Sequence, residues 1–291
     1  MNWQGVFTAL ITPFDHGEVD LPSLRELVRR QVAAGVHGLV ACGTTGEPAS
    51  MTAEEWDRVV ATVVETAGGR VPVLAGTGTY GTRSTVERTR RARELGADGA
   101  LVVTPYYVRP QQQGLVEHFR VVAREGGLPV MLYDVPGRTG VHLAPTSVGD
   151  LSGVPGIVAL KDASGSPATV REVRQCAAPG FRVLSGDDGL ALASWALGAQ
   201  GVVSVASNVA PAPMVALWEH WQAGRTAEAR ETDLSLAPLY RALFLESSPA
   251  PVKAAAAMLG LCRDEVRLPL VAASRSTREA LEAALSTAGL R

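Results

Sequence analysis

Lys161 closes the run Gly156-Ile157-Val158-Ala159-Leu160-Lys161-Asp162 and is the residue of this chain best placed for covalent chemistry. The four apolar residues before it read as a strand buried on both faces. Burial disfavours the charged form of an amine and frees its lone pair, and such an amine attacks a carbonyl to form a Schiff base. Alone, a lysine there reads more readily as a surface cation paired with Asp162. The residues at the ends of the other apolar runs reverse that preference. Gly43-Thr44-Thr45-Gly46-Glu47 comes after Gly38–Ala41, and Thr104-Pro105-Tyr106-Tyr107 after Gly99–Val103. Tyr133-Asp134-Val135-Pro136-Gly137-Arg138-Thr139-Gly140 and Ser185-Gly186-Asp187-Asp188 end two more. The glycine–threonine turn suits a nest of N–H groups and hydroxyls for a carboxylate, although an ordinary strand-to-helix turn has the same composition. Tyr133 suits a proton carrier beside the lysine or a core aromatic with a wet hydroxyl. Arg138, on a Pro-Gly turn, suits a bidentate clamp on a second carboxylate or a solvated charge.

Elements must exist to bring these groups together. Eight short β-rich runs recur every roughly 25–30 residues, the spacing of βα units. They are Val6–Ile11, Gly38–Ala41, Val71–Ala75, Gly99–Val103, Pro129–Tyr133, Ile157–Lys161, Phe181–Leu184 and Gly201–Val205. Between them lie amphipathic segments, among them Leu21–Ala34, Ala53–Ala67, Ser84–Leu95 and Gly114–Arg124. Asp20 with Pro22 and the capping box Thr52/Glu55 mark two helix starts. The pattern predicts an α/β fold, a (β/α)8 TIM barrel, whose active site forms where the strands end. No GxGxxG comes after the first strand, which argues against a doubly wound dinucleotide fold. Residues 1–222 are expected to form the barrel, and 223–291 a C-terminal helical extension with an Ala-rich piece at Lys253–Met258 and an amphipathic tail at Thr277–Leu285.

Composition narrows the function. Of 291 residues, 46% are hydrophobic and 19% charged, which suits a large core rather than disorder. A net charge of −2 with interspersed signs favours neither nucleic acid nor membrane as partner. The three cysteines (Cys42, Cys176, Cys262) form no CxxC, and the five histidines share no ligand spacing, so neither a disulfide framework nor a metal site is expected. Gly76-Thr77-Gly78 is too short, and lacks the lysine, for a phosphate loop. The run Met1–Gly5 leads into an apolar strand with no signal-peptide pattern, and a cytoplasmic protein is expected.

Together, GTTGE, YxVPGRTG and the lysine-bearing strand, in this order, resemble the pyruvate-dependent class I aldolase family typified by dihydrodipicolinate synthase and N-acetylneuraminate lyase. The resemblance runs from Gly5–Phe14 to Arg267–Leu270. It implies that Lys161 forms the imine with pyruvate and that Thr45, with Thr44, receives the pyruvate carboxylate. It implies a proton relay of Tyr133, Thr44 and Tyr107, the last supplied by a neighbouring subunit, and a pocket lined by Gly186 and Val203. No cofactor is implied beyond the covalent imine of pyruvate on Lys161, and no metal. A homotetramer built as a dimer of dimers is implied. The arginine after the VPG turn, Arg138, resembles that of the members that bind L-aspartate 4-semialdehyde on the route to diaminopimelate and lysine. Sialic acid and 2-keto-3-deoxy sugar acid lyases share the lysine and tyrosine but typically lack that arginine; a non-catalytic keto-acid binder would need no proton relay. Asp134, Val108 and Ser248 depart from asparagines common in the family. Ala53, Trp56, Tyr80 and Ser84 replace residues that bind inhibitory lysine in some members, although Tyr106 is kept, so weak or absent lysine inhibition is expected.

Overall fold

The computed structural model describes residues 3–291, so the first two residues of the N-terminal run lie outside the described residues. Among the described residues ten strands form: β1 (Gly5–Ala9), β2 (Phe14–Asp15), β3 (Glu18–Val19), β4 (Gly38–Ala41), β5 (Val73–Gly76), β6 (Gly99–Val103), β7 (Val130–Asp134), β8 (Ile157–Asp162), β9 (Arg182–Ser185) and β10 (Gly201–Ser204). Eight close into a barrel in the order β1-β10-β9-β8-β7-β6-β5-β4, and β2 and β3 make a separate antiparallel hairpin. All eight runs read from sequence become barrel strands, most of them shifted by one or two residues. Pro129, with no N–H to give, falls just outside β7, yet its carbonyl still accepts from the Ala100 amide at 2.9 Å. The hairpin at Phe14–Val19 has no signal in the periodicity, since two-residue strands are shorter than any pattern.

The described residues form two compact units, one of residues 3–4 with Pro72–Val203 and one of Gly5–Val71 with Ser204–Arg291. In the first, the parallel registers place Val103, Tyr133, Lys161 and Leu184 level with one another across β6, β7, β8 and β9. The next level holds Asp134, Asp162 and Ser185. Successive side chains point to opposite faces of a sheet, so Tyr133 and Lys161 share one face, and the two aspartates share the other. Val130, Met131, Leu132 and Ala159 are fully buried, as the near-continuous apolar runs require. Trp3 packs where Gly99 has no side chain; a Cβ there would come within 2.4 Å of the indole.

In the second unit, β1 and β4 pair with Phe7 opposite Gly38, and the Phe7 ring fills the space a side chain at Gly38 would need. Burying such a ring stabilises by roughly 2–3 kcal/mol. Helix Leu21–Ala33 starts on Asp20, whose carboxylate accepts from the Ser23 amide, and helix Ala53–Ala67 carries both halves of the Thr52/Glu55 capping box. Gln31, buried, is paired at both ends of its amide: it accepts from the Thr8 hydroxyl at 2.8 Å and donates to the Ser207 carbonyl at 2.8 Å. The C-terminal helices Pro211–Gln222, Thr226–Ala242, Ala250–Met258 and Arg275–Thr287 belong to this unit, with Pro211–Gln222 packed on β1. No helix among the described residues is long and apolar enough to cross a membrane.

Candidate active site

Lys161 sits at the end of β8, 5% exposed, with its Nζ 4.0 Å from the centre of the Tyr133 ring. The shared level of β7 and β8 produces this meeting of lysine and phenol ring. Gly186, just past β9, is held by its amide on the Asp162 carbonyl at 2.6 Å. A Cβ at Gly186 would lie 3.0 Å from Lys161 Cε and 2.8 Å from Ala163 Cβ. The absence of a side chain there leaves the lysine stem its path. Val203, on β10, is fully buried.

The turn after β7 is tied by its own backbone hydrogen bonds, the Thr139 and Gly140 amides donating to the Val135 and Pro136 carbonyls. Pro136–Thr139 is a single helical turn, closed by Gly140 at φ +74°. Thr139 is buried; its hydroxyl accepts from that of Thr104 at 3.3 Å and reaches the Val141 carbonyl at 2.9 Å. Arg138 is exposed on this turn. The loop after β6 carries Tyr107, 90% exposed at φ +72°, with its amide on the Thr139 carbonyl at 3.4 Å. A left-handed non-glycine residue costs about 1–2 kcal/mol, so this loop is held in place by its contacts. Tyr106 packs edge-on against Tyr80, ring centres 5.8 Å apart, and Val108 is exposed.

Asp134, the departure beside Tyr133, faces away from Lys161. Its Oδ2 lies 2.6 Å from His142 Nδ1, and its Oδ1 accepts from the Leu143 amide at 3.0 Å. Burial pushes this carboxyl above its ordinary range, and neighbouring Asp162 adds to the effect. Asp162, which accepts from the Ser164 amide, is pushed up by burial as well. The pairing with His142 carried no sequence signal, because nothing in either run names the other. Ser248, another departure, is buried.

In the second unit, Thr44–Gly46 forms one 3₁₀ turn directly after β4. Thr45 is buried and Thr44 exposed. A Cβ at Gly46 would press on Thr12 Oγ1 at 3.2 Å and on the Leu10 carbonyl at 3.3 Å, so the turn lies tight against the chain leaving β1. Below it lies a cluster that sequence reading missed. Glu47 and Lys253, 2% and 0% exposed, form an ion pair at 2.5 Å, and Arg267 grips Glu55 at 2.5 and 2.7 Å. Among the described residues no group of three or more histidine, cysteine or carboxylate side chains could hold a metal ion.

The family model described as the dihydrodipicolinate synthetase family matches residues 2–288. The chain belongs to this family. It is 50% identical over 284 residues to the 4-hydroxy-tetrahydrodipicolinate synthase of Thermomicrobium roseum, covering 98% of this chain and 94% of that protein. Among solved structures it is similar to dihydrodipicolinate synthase from Thermotoga maritima, with TM-score 0.97, 39% identity and 99% of each chain covered. The chloride-inhibited dihydrodipicolinate synthase from Acinetobacter baumannii, complexed with pyruvate, matches with TM-score 0.97 and 39% identity over the whole of both chains.

Proposed function

We propose that the chain is a lyase of lysine and diaminopimelate biosynthesis, a 4-hydroxy-tetrahydrodipicolinate synthase that condenses pyruvate with L-aspartate 4-semialdehyde. The observation that carries this is the buried amine of Lys161 against the Tyr133 ring, with Gly186 keeping its stem clear. Half-identity to the 4-hydroxy-tetrahydrodipicolinate synthase of Thermomicrobium roseum supports the synthase over the sugar-acid lyases.

Lys161 Nζ adds to the keto carbon of pyruvate and water leaves, giving a protonated imine that serves as the electron sink. Loss of a methyl proton makes an enamine, whose carbon attacks the aldehyde carbon while the new alkoxide takes a proton. The amine of the semialdehyde moiety then adds to the re-formed imine carbon and expels Lys161 Nζ, which closes the ring and frees the lysine. Each step moves a proton in a site with little water, the task of Tyr133, Thr44 and Tyr107. The Thr44–Thr45 turn receives the pyruvate carboxylate, Arg138 clamps that of the semialdehyde, and Gly186 and Val203 line the pocket. Tyr107, almost wholly exposed on an anchored loop, serves a neighbouring subunit, in a homotetramer arranged as a dimer of dimers. Neither a metal nor an organic cofactor takes part, and the enzyme works in the cytoplasm.

Borohydride reduction in the presence of pyruvate, with peptide mass spectrometry of the product, tests the imine, and turnover with the semialdehyde tests the substrate. A pyruvate adduct on Lys161 with semialdehyde consumption is expected. In Arg138→Ala the adduct persists while semialdehyde turnover collapses. No adduct on the parent protein would refute the Schiff-base chemistry.

A further inference from the structure

The Thr44–Thr45 turn is bracketed by two residues in the left-handed region, Cys42 at φ +52° and Glu47 at φ +55°, neither of them glycine. A backbone strained on both sides of a short turn persists only when the surroundings fix it. At the Glu47 end the fixing contacts come from the far end of the chain. Glu47 Oε1 lies 2.5 Å from Lys253 Nζ, a close ion pair off the line of an aligned hydrogen bond. Glu47 Oε2 accepts from the Arg267 amide at 3.1 Å. Lys253 Nζ also donates to the Glu265 carbonyl at 2.7 Å and lies 4.0 Å from the centre of the Phe14 ring. Both charges are taken wholly out of water, so neither can shift without leaving the other uncompensated. Arg267 extends the grip: its guanidinium binds the Ser50 carbonyl at 3.0 Å, both oxygens of Glu55, and the Gly17 carbonyl.

We propose that Glu47, locked by Lys253, is a positioning residue that sets the shape of the Thr44–Thr45 turn. The C-terminal helices are thereby a working part of the keto-acid carboxylate subsite. This rests on the reading of that turn as the receiver of the pyruvate carboxylate. Glu47 is the residue that caps the turn, its amide donating to the Thr44 carbonyl at 3.2 Å, so its φ and ψ fix the direction in which the turn ends. Substrate is touched by the threonines; Glu47 and Lys253 act through them.

A merely stabilising ion pair and a positioning one separate in three variants. Lys253→Met leaves a buried carboxylate without its cation, and Glu47→Gln leaves a neutral acceptor in the same shape. The double replacement Lys253→Met/Glu47→Leu removes both charges, and such apolar substitution of a buried pair commonly restores stability. The readouts are thermal stability, kcat, separate KM values for pyruvate and semialdehyde, and amide exchange of the peptide covering residues 42–52 without substrate. In each folded variant the KM for pyruvate rises about tenfold or more while that for semialdehyde stays within about twofold, the mark of a lost binding geometry for one substrate. The decisive expectation is that the double variant regains stability yet keeps the high pyruvate KM and fast exchange at 42–52. A double variant with the parent's pyruvate KM and exchange would overturn the proposal. If Lys253→Met yields no folded protein, Glu47→Gln and the double variant decide on the same readouts. If the parent forms no pyruvate adduct, the carboxylate reading fails, and exchange at 42–52 still judges the lock between Glu47 and Lys253.

Discussion

Glu55→Gln isolates one ion pair, because glutamine can still accept the Thr52 amide that completes the capping box at the start of helix Ala53–Ala67. What it removes is the charge that meets Arg267, whose two terminal nitrogens reach the two carboxylate oxygens at 2.7 and 2.5 Å. Hydrogen bonding from Arg267 holds the Glu55 carboxyl down to about 2, from an ordinary 4.5. A depression of that size corresponds to ~3.4 kcal/mol if fully expressed. The carboxylate and guanidinium side chains are 13% and 17% exposed, so solvent screens part of it, and about half, ~1.7 kcal/mol, is the expected contribution at neutral pH. The folded-state value lies below the unfolded one, so this stability is present above pH 4.5 and is lost as pH falls toward 2. Urea unfolding of parent and Glu55→Gln should differ by about 1.5–2 kcal/mol at pH 7, and by about 40% of that at pH 3. A difference equal at the two pH values, or none at pH 7, would refute the assignment of the stabilisation to ionised Glu55.

Gly186→Ala places a methyl 3.0 Å from Lys161 Cε and 2.8 Å from Ala163 Cβ, and the lysine must yield. A roughly hundredfold fall in kcat is expected, with slower borohydride trapping at saturating pyruvate; unchanged trapping would show that the stem has room to spare. Asp134→Asn removes a buried carboxyl whose value is raised by burial, so its contribution to stability in the parent is present at acid pH and lost as pH rises. The variant should therefore gain on the parent as pH rises above the acid range, and lose that advantage on acidification. An advantage that grows toward acid would contradict this. L-lysine should inhibit weakly or not at all, since Trp56 is buried in the helix core and Tyr80 is mostly exposed where polar ligands would be needed. An inhibition constant in the micromolar range from a steady-state titration would contradict that expectation.

The barrel and its lysine were legible in the chain itself. Strands such as Val130–Asp134 and Ile157–Asp162 are buried on both faces, so their apolar runs stand out from the amphipathic segments between them. Helix starts at Asp20 and Thr52 are local events, made by side chains within three residues of the amides they cap, and sequence alone carries them. A lysine closing a buried strand is equally local as a signal, and so are the glycine–threonine and proline–glycine turns.

Contacts between distant residues were not legible. Lys253 reads as one residue of an alanine-rich helix, and Glu47 as the tail of a turn motif. Only folding brings that helix beneath the turn and makes both charges depend on each other. The same holds for Glu47 and Arg267, joined across 220 residues, and for Asp134, whose orientation toward His142 comes from strand register. Local patterns record what a residue does with its neighbours in the chain. Buried ion pairs record which surfaces were removed from water together, and that is decided only when the tertiary structure closes.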